Sequence, residues 1–123
     1  MPFHLRLDDE ARLLRVAANG PVDCDESLRA IRSAASELAG RGWGAVTDVR
    51  AMDYVPSIAE LRLIALEFIR LRPAFAGGVA FVVSNDIHYG LGRLLAGLTE
   101  ARGISIGVTR SVEEAEAWLR RTP

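Results

Sequence analysis

The sequence predicts an α/β fold in which a mixed, mostly parallel five-stranded sheet carries four helices, in the order β-β-α-β-α-β-α-β-α. Three observations lead there. Strand-like apolar runs alternate with segments of helical period along most of the chain, the pattern of parallel strands joined by right-handed crossovers. Val79-Ala80-Phe81-Val82-Val83 is apolar without alternation, as in a strand covered on both faces, and is the best candidate for the middle of the sheet. At the start, two alternating segments are separated only by a short polar stretch, which predicts a hairpin and so one antiparallel strand.

Each element has its own warrant. Phe3, Leu5 and Leu7 alternate with His4 and Arg6, which makes His4 an outward-facing strand residue. After Asp8-Asp9-Glu10 the second strand carries Leu13, Leu14, Val16 and Ala18, and Asn19-Gly20-Pro21 ends it. Asp23 stands three residues before Glu26, the spacing at which side chains and backbone amides cap each other. Leu28, Ile31, Ala35 and Leu38 then recur at helical period until Gly40, which predicts a helix over roughly 24–39. Ala45 to Val49 is a short strand that opens onto an irregular segment, Arg50 to Pro56.

Ser57 with Glu60 repeats the capping pattern, and the helix it starts stops at Pro73. Gly77-Gly78 precedes the apolar strand. Ser84-Asn85-Asp86 offers N-caps for a third helix, with Ile87, Leu91, Leu94, Leu95 and Leu98 on one face and Gly103 closing it. Gly90, Gly92 and Gly97 interrupt that helix at a cost of about 1 kcal/mol each against alanine, so a close approach by sheet, ligand or second subunit is expected to compensate. Ile104, Ile106 and Val108 alternate with Ser105 and Gly107, which predicts a half-buried edge strand. Ser111 caps a last helix with Glu113 and Glu114 in its first turn and Arg120 and Arg121 in its last, the order its dipole favours, docked by Ala115, Trp118 and Leu119.

Composition removes several classes of function. A chain of 123 residues has room for one domain, 1–123, and can bury about 65% of the surface its unfolded form exposes. The formal charge is −1, without the basic footprint that a phosphate backbone needs, so nucleic acid is not an expected partner. All fifteen cationic side chains are Arg, which excludes lysine Schiff-base chemistry and a P-loop lysine. Cys24 is the only cysteine, and Asp23 and Asp25 beside it oppose the acidifying effect of a helix start, so it reads as a bystander. Two distant histidines and one thiol match no metal-ligand spacing, and no cofactor motif is present. No segment approaches about 18 uninterrupted apolar residues and the start lacks a signal-peptide pattern, so a cytoplasmic, unprocessed chain with no membrane span is expected.

Four segments carry a resemblance. They are the hairpin end Gly20-Pro21-Val22, the strand end Val46-Thr47-Asp48-Val49-Arg50, the run Val79 to Ser84, and the closing Ser111-Val112-Glu113-Glu114-Ala115-Glu116-Ala117-Trp118-Leu119. With this element order the whole chain resembles the SpoIIAA-like fold of anti-sigma-factor antagonists and STAS domains, above all the small stand-alone bacterial members of uncertain function. The resemblance implies a non-enzymatic regulatory or protein-interaction module. In the antagonists a serine, preceded by Asp and followed by small residues, is phosphorylated by a cognate kinase to switch partner binding. The matching place here is Pro56-Ser57-Ile58-Ala59, which keeps the hydroxyl but lacks that Asp and the following Gly. A regulatory protein or kinase is the partner this resemblance implies. Lipid-carrier domains of the Sec14 type share a related architecture, which makes a small-ligand binder for a lipid or anionic metabolite the alternative.

The residues themselves nominate three places. Ser57 stands at a helix N-terminus, where unpaired amides and the positive dipole end would stabilise a phosphate, and where it serves equally as a plain cap. Asp48 and Arg50 end one parallel strand while Ser84, Asn85, Asp86, His88 and Tyr89 follow its neighbour, the edge of an open α/β sheet where ligands collect. There Arg50 is a candidate clamp for a carboxylate or phosphate, although Asp48 and Arg50 pairing with each other is the simpler arrangement. His88 lacks an orienting acid, because Asp86 two residues earlier faces elsewhere, and a solvated histidine is expected. On the second helix Leu61, Ile64, Ala65 and Phe68 face the sheet, whereas Leu63 and Leu66 fall among Arg62, Glu67 and Arg70 on the other side. That outer stripe is a candidate homodimer or partner contact. Neither a nucleophile elbow, a phosphate loop nor paired carboxylates are present, so the sequence predicts no enzyme.

Overall fold

The computed structural model describes residues 2–121. Its elements are β1 (Phe3–Asp8), β2 (Leu13–Pro21), α1 (Cys24–Leu38), β3 (Gly44–Asp53), α2 (Ile58–Arg70), a 3-10 turn (Arg72–Phe75), β4 (Val79–Val82), α3 (Asp86–Glu100), β5 (Ile106–Thr109) and α4 (Val112–Arg121). The strands form one sheet in the order β1-β2-β3-β4-β5. β1 and β2 are antiparallel, and every later neighbour pair is parallel. The predicted element order and mixed sheet are therefore those of the molecule.

Alternation along the strands divides the sheet into two unequal faces. Leu14, Val16, Ala45, Val79 and Ile106 point to one side and pack with Ile31, Ile64, Phe68 and Leu95 of α1, α2 and α3. Val46, Ala80 and Val82 point to the other and meet Ala115 and Leu119 of α4, with Leu13, Val112 and Trp118 packed around them. Both predicted capping boxes form. The Asp23 carboxylate accepts from Glu26 N at 2.8 Å, and Ser57 Oγ accepts from Glu60 N at 3.1 Å, with each glutamate returning a bond to the cap backbone.

Four expectations need correction. The run Val79–Val83 is buried through Val79, Ala80, Val82 and Val83, as predicted, but the middle of the sheet belongs to β3, with β4 between it and β5. β3 does not stop at Val49, nor β2 at Ala18. Their ladder continues through Asn19↔Ala51, Gly20↔Met52 and Pro21↔Asp53 after a register irregularity, so cross-strand pairing overrides the local turn residues. α2 ends at Arg70, and Pro73 lies inside the 3-10 turn that follows. β5 is an edge strand, but it is covered on both sides, with Ile106, Gly107 and Thr109 all buried.

The cover of β5 explains two glycines. A Cβ at Gly92 of α3 would stand 2.8 Å from a Val108 methyl, and one at Gly107 would stand 2.5 Å from the Trp118 ring. Both are bare so that α3 and α4 can close on the strand from opposite sides. The close approach expected of the α3 glycines is therefore made by the sheet, and at Gly92 alone, because Gly90 and Gly97 face open space.

Candidate functional site

The polar residues that end the parallel strands assemble into two small groups. Arg50 donates through Nε to Asp48 Oδ1 at 3.0 Å and through Nη2 to Oδ2 at 2.8 Å, and its backbone N–H donates to Oδ1 at 3.1 Å. The Arg50 hydrogen bonds, opposed by burial, hold the Asp48 carboxyl below its ordinary pKa. Ser84 Oγ donates to the Arg50 carbonyl at 3.2 Å, which ties β4's end to β3's. The structure thus joins Asp48, Arg50 and Ser84, but the guanidinium fork that would clamp an anion already holds Asp48.

The second group centres on His88, and here the expectation of a solvated ring fails. His88 is only 8% exposed. Asn85 caps α3, with Oδ1 accepting from His88 N at 2.8 Å, and its Nδ2 lies 3.2 Å from His88 Nδ1. His88 Nε2 lies 2.8 Å from the Tyr54 carbonyl oxygen. A ring that accepts at Nδ1 and donates from Nε2 satisfies every contact, so His88 braces α3 against the segment after β3. Asp86 faces away, as expected. It pairs with Arg110 at 2.8 Å, and the Arg110 guanidinium lies 4.8 Å from the centre of the Tyr89 ring. Arg110 went unnoticed in the sequence, although its place just beyond β5 matches that of Arg50 beyond the ladder to β4.

Ser57 is exposed and committed to its capping box. The outer stripe of α2 is as the helical wheel predicts. Leu63 is 51% and Leu66 57% exposed, beside exposed Arg62 and Arg70, while Leu61, Ile64, Ala65 and Phe68 are buried. Glu67 is drawn inward, pairing with Arg70 and, at 3.6 Å, with Arg32 of α1. The stripe does not stand alone. Val55, Ile58, Ile87, Leu94 and Leu98 are exposed too, and with Leu63 and Leu66 they are all the large exposed hydrophobics among the described residues. Every one belongs to α2, the loop before it, or α3, two helices that pack side by side.

Beneath these helices lies a feature no sequence pattern signals. A cavity of about 130 Å³ separates the sheet from α1, α2 and α3, with Val16, Phe81, Ile64, Phe68 and Leu95 among its walls. Ser27, Tyr54 and His88 mark its end near the carboxyl ends of the strands. Ser27 Oγ is spent on the Asp23 carbonyl and His88 on the contacts above. The Tyr54 hydroxyl is buried with no hydrogen-bond partner. Burial above all, then the nearby Cys24 and Glu60, push its pKa far up and keep it protonated. Cys24 is likewise raised, first by burial and then, against the lowering effect of the Tyr54 side chain, by Glu60, Asp25 and Asp23, which disfavours its thiolate. Tyr54 falls in the segment taken as irregular, so no periodicity marked its inward turn. No group of three or more His, Cys, Asp or Glu able to hold a metal occurs among the described residues, and none of their helices is long and apolar enough to cross a membrane.

No protein-family model matches the sequence, and no curated protein matches it. Solved structures do. The chain is similar to an anti-sigma factor antagonist from Mycobacterium paratuberculosis, with a TM-score of 0.64 at 16% identity over 96% of this chain and 94% of that one. It is also similar to an uncharacterised protein of the DUF3478 family with a SpoIIAA-like fold from Shewanella loihica PV-4, with a TM-score of 0.61 at 15% identity over 95% of this chain and 91% of that one. At such identities the likeness speaks to architecture, and it agrees with the strand order and the helix placement described above: the chain has a SpoIIAA-like fold.

Proposed function

We propose that the chain is a non-enzymatic regulatory or protein-interaction module whose contact surface is the outer side of α2 and α3. One observation carries this reading: all seven large exposed hydrophobics among the described residues belong to α2, α3 or the loop before α2. Helices that merely cover a sheet need apolar residues on their inner faces only. A concentrated apolar surface rimmed by Arg62, Arg70 and Arg93 matches the make-up of protein contacts, in which aliphatic centres are framed by arginine. The likeness to an anti-sigma factor antagonist supports a regulatory protein as the partner, with a second copy of the chain as the homodimeric form of the same contact.

Ser57 lies at the start of this surface. A phosphate there would meet the N-terminus of α2, but it would also displace the Glu60 carboxylate from the capping box and so change the edge of the contact. The test is a paired capture from the source organism. Wild type and Leu63→Asp/Leu66→Asp are compared with Arg6→Glu, a control on an exposed residue of β1. The reading requires a discrete partner, or self-association in sedimentation, that the control retains and the double variant loses. Equal behaviour of all three would contradict it.

The cavity supports a second reading, a small-ligand binder. Arg50 is occupied by Asp48, which argues against anchoring an anion at the strand ends, whereas the apolar walls favour a hydrocarbon-like guest. A thermal shift with apolar ligands tests it.

A further inference from the structure

The contact surface on α2 and α3 admits either a regulatory protein or a second copy of the chain, and the outer face of α3 favours the copy. With about 100° between successive residues, α3 turns His88, Leu95 and Thr99 into the core, and the opposite direction belongs to Gly90 and Gly97. A Cβ at either glycine would meet nothing, so neither is bare to suit the packing of its own chain. Exposed Ile87, Leu94 and Leu98 run along one side of this glycine line, and exposed Arg93 and Glu100 along the other. Gly92, which meets Val108 of β5, lies beneath the charged side, so the aliphatic side is the one nearer α2 and its exposed Leu63 and Leu66.

Two copies can pair this face about a two-fold axis in two ways. With the helices parallel, each aliphatic side lies against the charged side of the other copy, which would desolvate Arg93 and Glu100 against leucine. With the helices antiparallel, like sides meet. Leu94 then faces Leu98 of the second copy, and Arg93 faces Glu100 of the second copy, because the two pairs share a midpoint beside Gly97. Neither Arg93 nor Glu100 is in an ion pair among the described residues, so both are free to make this one. One register therefore satisfies the leucines and the charges together, and its centre falls where a missing side chain lets two helix backbones approach.

We infer that the chain forms a two-fold homodimer in which α3 crosses its antiparallel copy at Gly97, with Leu94 against Leu98 of the second copy and Arg93 paired with Glu100 of the second copy. This rests on the reading of α2 and α3 as the contact surface, and adds the occupant, the register and the charges that fix it.

Sedimentation of the whole chain over about a hundred-fold range of concentration tests it. The wild type is expected to pass from monomer to dimer. Arg93→Glu and Glu100→Arg should each weaken the dimer about ten-fold, since each sets like charges together at two symmetric places. Arg93→Glu/Glu100→Arg restores opposite charges and should return the dissociation constant to within about three-fold of wild type. Gly97→Leu should weaken the dimer at least about ten-fold. The dilute Gly97→Leu monomer should melt no lower than wild type, because leucine favours a helix and meets open space there. A monomer at every concentration, a double reversal as weak as the single ones, or a dimer indifferent to Gly97→Leu would overturn the homodimer. The contact surface would survive those results if Leu63→Asp/Leu66→Asp lost a captured partner that Arg6→Glu kept, and would fall with the homodimer if it did not.

Discussion

The two faces of the sheet are covered in opposite ways. α4 alone closes one of them, with Ala115 fully buried, Leu119 nearly so, and the Trp118 ring laid against the bare backbone of Gly107. Three helices cover the other, yet they leave a cavity of about 130 Å³, an unbonded tyrosine hydroxyl and a row of exposed aliphatic side chains. More cover has not meant tighter cover. Protein interiors are close-packed, so slack beneath a layer with an apolar exterior supports the proposal that this layer is the one that binds.

The largest expected effect would break the contrast if it failed. Gly107→Val would force two methyl groups into the Trp118 ring and should cost about 3 kcal/mol in urea unfolding, against less than about 0.5 kcal/mol for Ala30→Val on the cavity side. Similar costs at the two positions would mean that the faces are equally packed.

Ser57→Ala comes next. It removes the Oγ that accepts from Glu60 N, and about 1 kcal/mol of stability should go with it, whereas Ser57→Asp should keep the cap and nearly all of the stability. Retention of full stability by the alanine variant would free Ser57 from its structural role and strengthen a purely regulatory one.

A smaller effect belongs to the α4 side. The folded-state pKa of Asp48 is lowered, so its pairing with Arg50 stabilises the fold above the unfolded value near ~3.9 and is lost as pH falls through the folded value. Because the pair is partly exposed, Asp48→Asn should cost less than about 1 kcal/mol at pH 7. The difference from wild type should shrink to nothing in strong acid. A gap that widened on acidification would reverse the sign of the argument.

The smallest effect sharpens the comparison most. Leu63→Ser and Leu66→Ser should each change stability by no more than about 0.5 kcal/mol, since neither side chain is part of the core. A loss of about 2 kcal/mol from either would show that the stripe supports the fold and is not held for a partner.

Periodicity and caps made most of the architecture legible. The two capping boxes, the inward set of α2 and the doubly covered β4 follow from spacing and residue type, which act locally. What failed was decided at a distance. β2 runs past Ala18 to Pro21 because β3 offers it partners, and no local signal in Asn19-Gly20-Pro21 reveals that ladder. His88 is buried because the Tyr54 carbonyl reaches it across 34 residues of chain. The cavity is a deficit of volume among correctly placed apolar side chains, and pattern records polarity, not fit. Asp48, Arg50 and Ser84 were rightly placed at one edge, but whether Arg50 stood free depended on a rotamer.

The central claim is that the α2 and α3 side binds while the α4 side holds the fold. A photo-crosslinking amino acid introduced in place of Leu66, or separately in place of exposed Glu114 on α4, tests it inside the source organism. The account predicts a discrete crosslinked species from position 66 and none from position 114. A crosslink from 114 alone, or the same species from both, would contradict it.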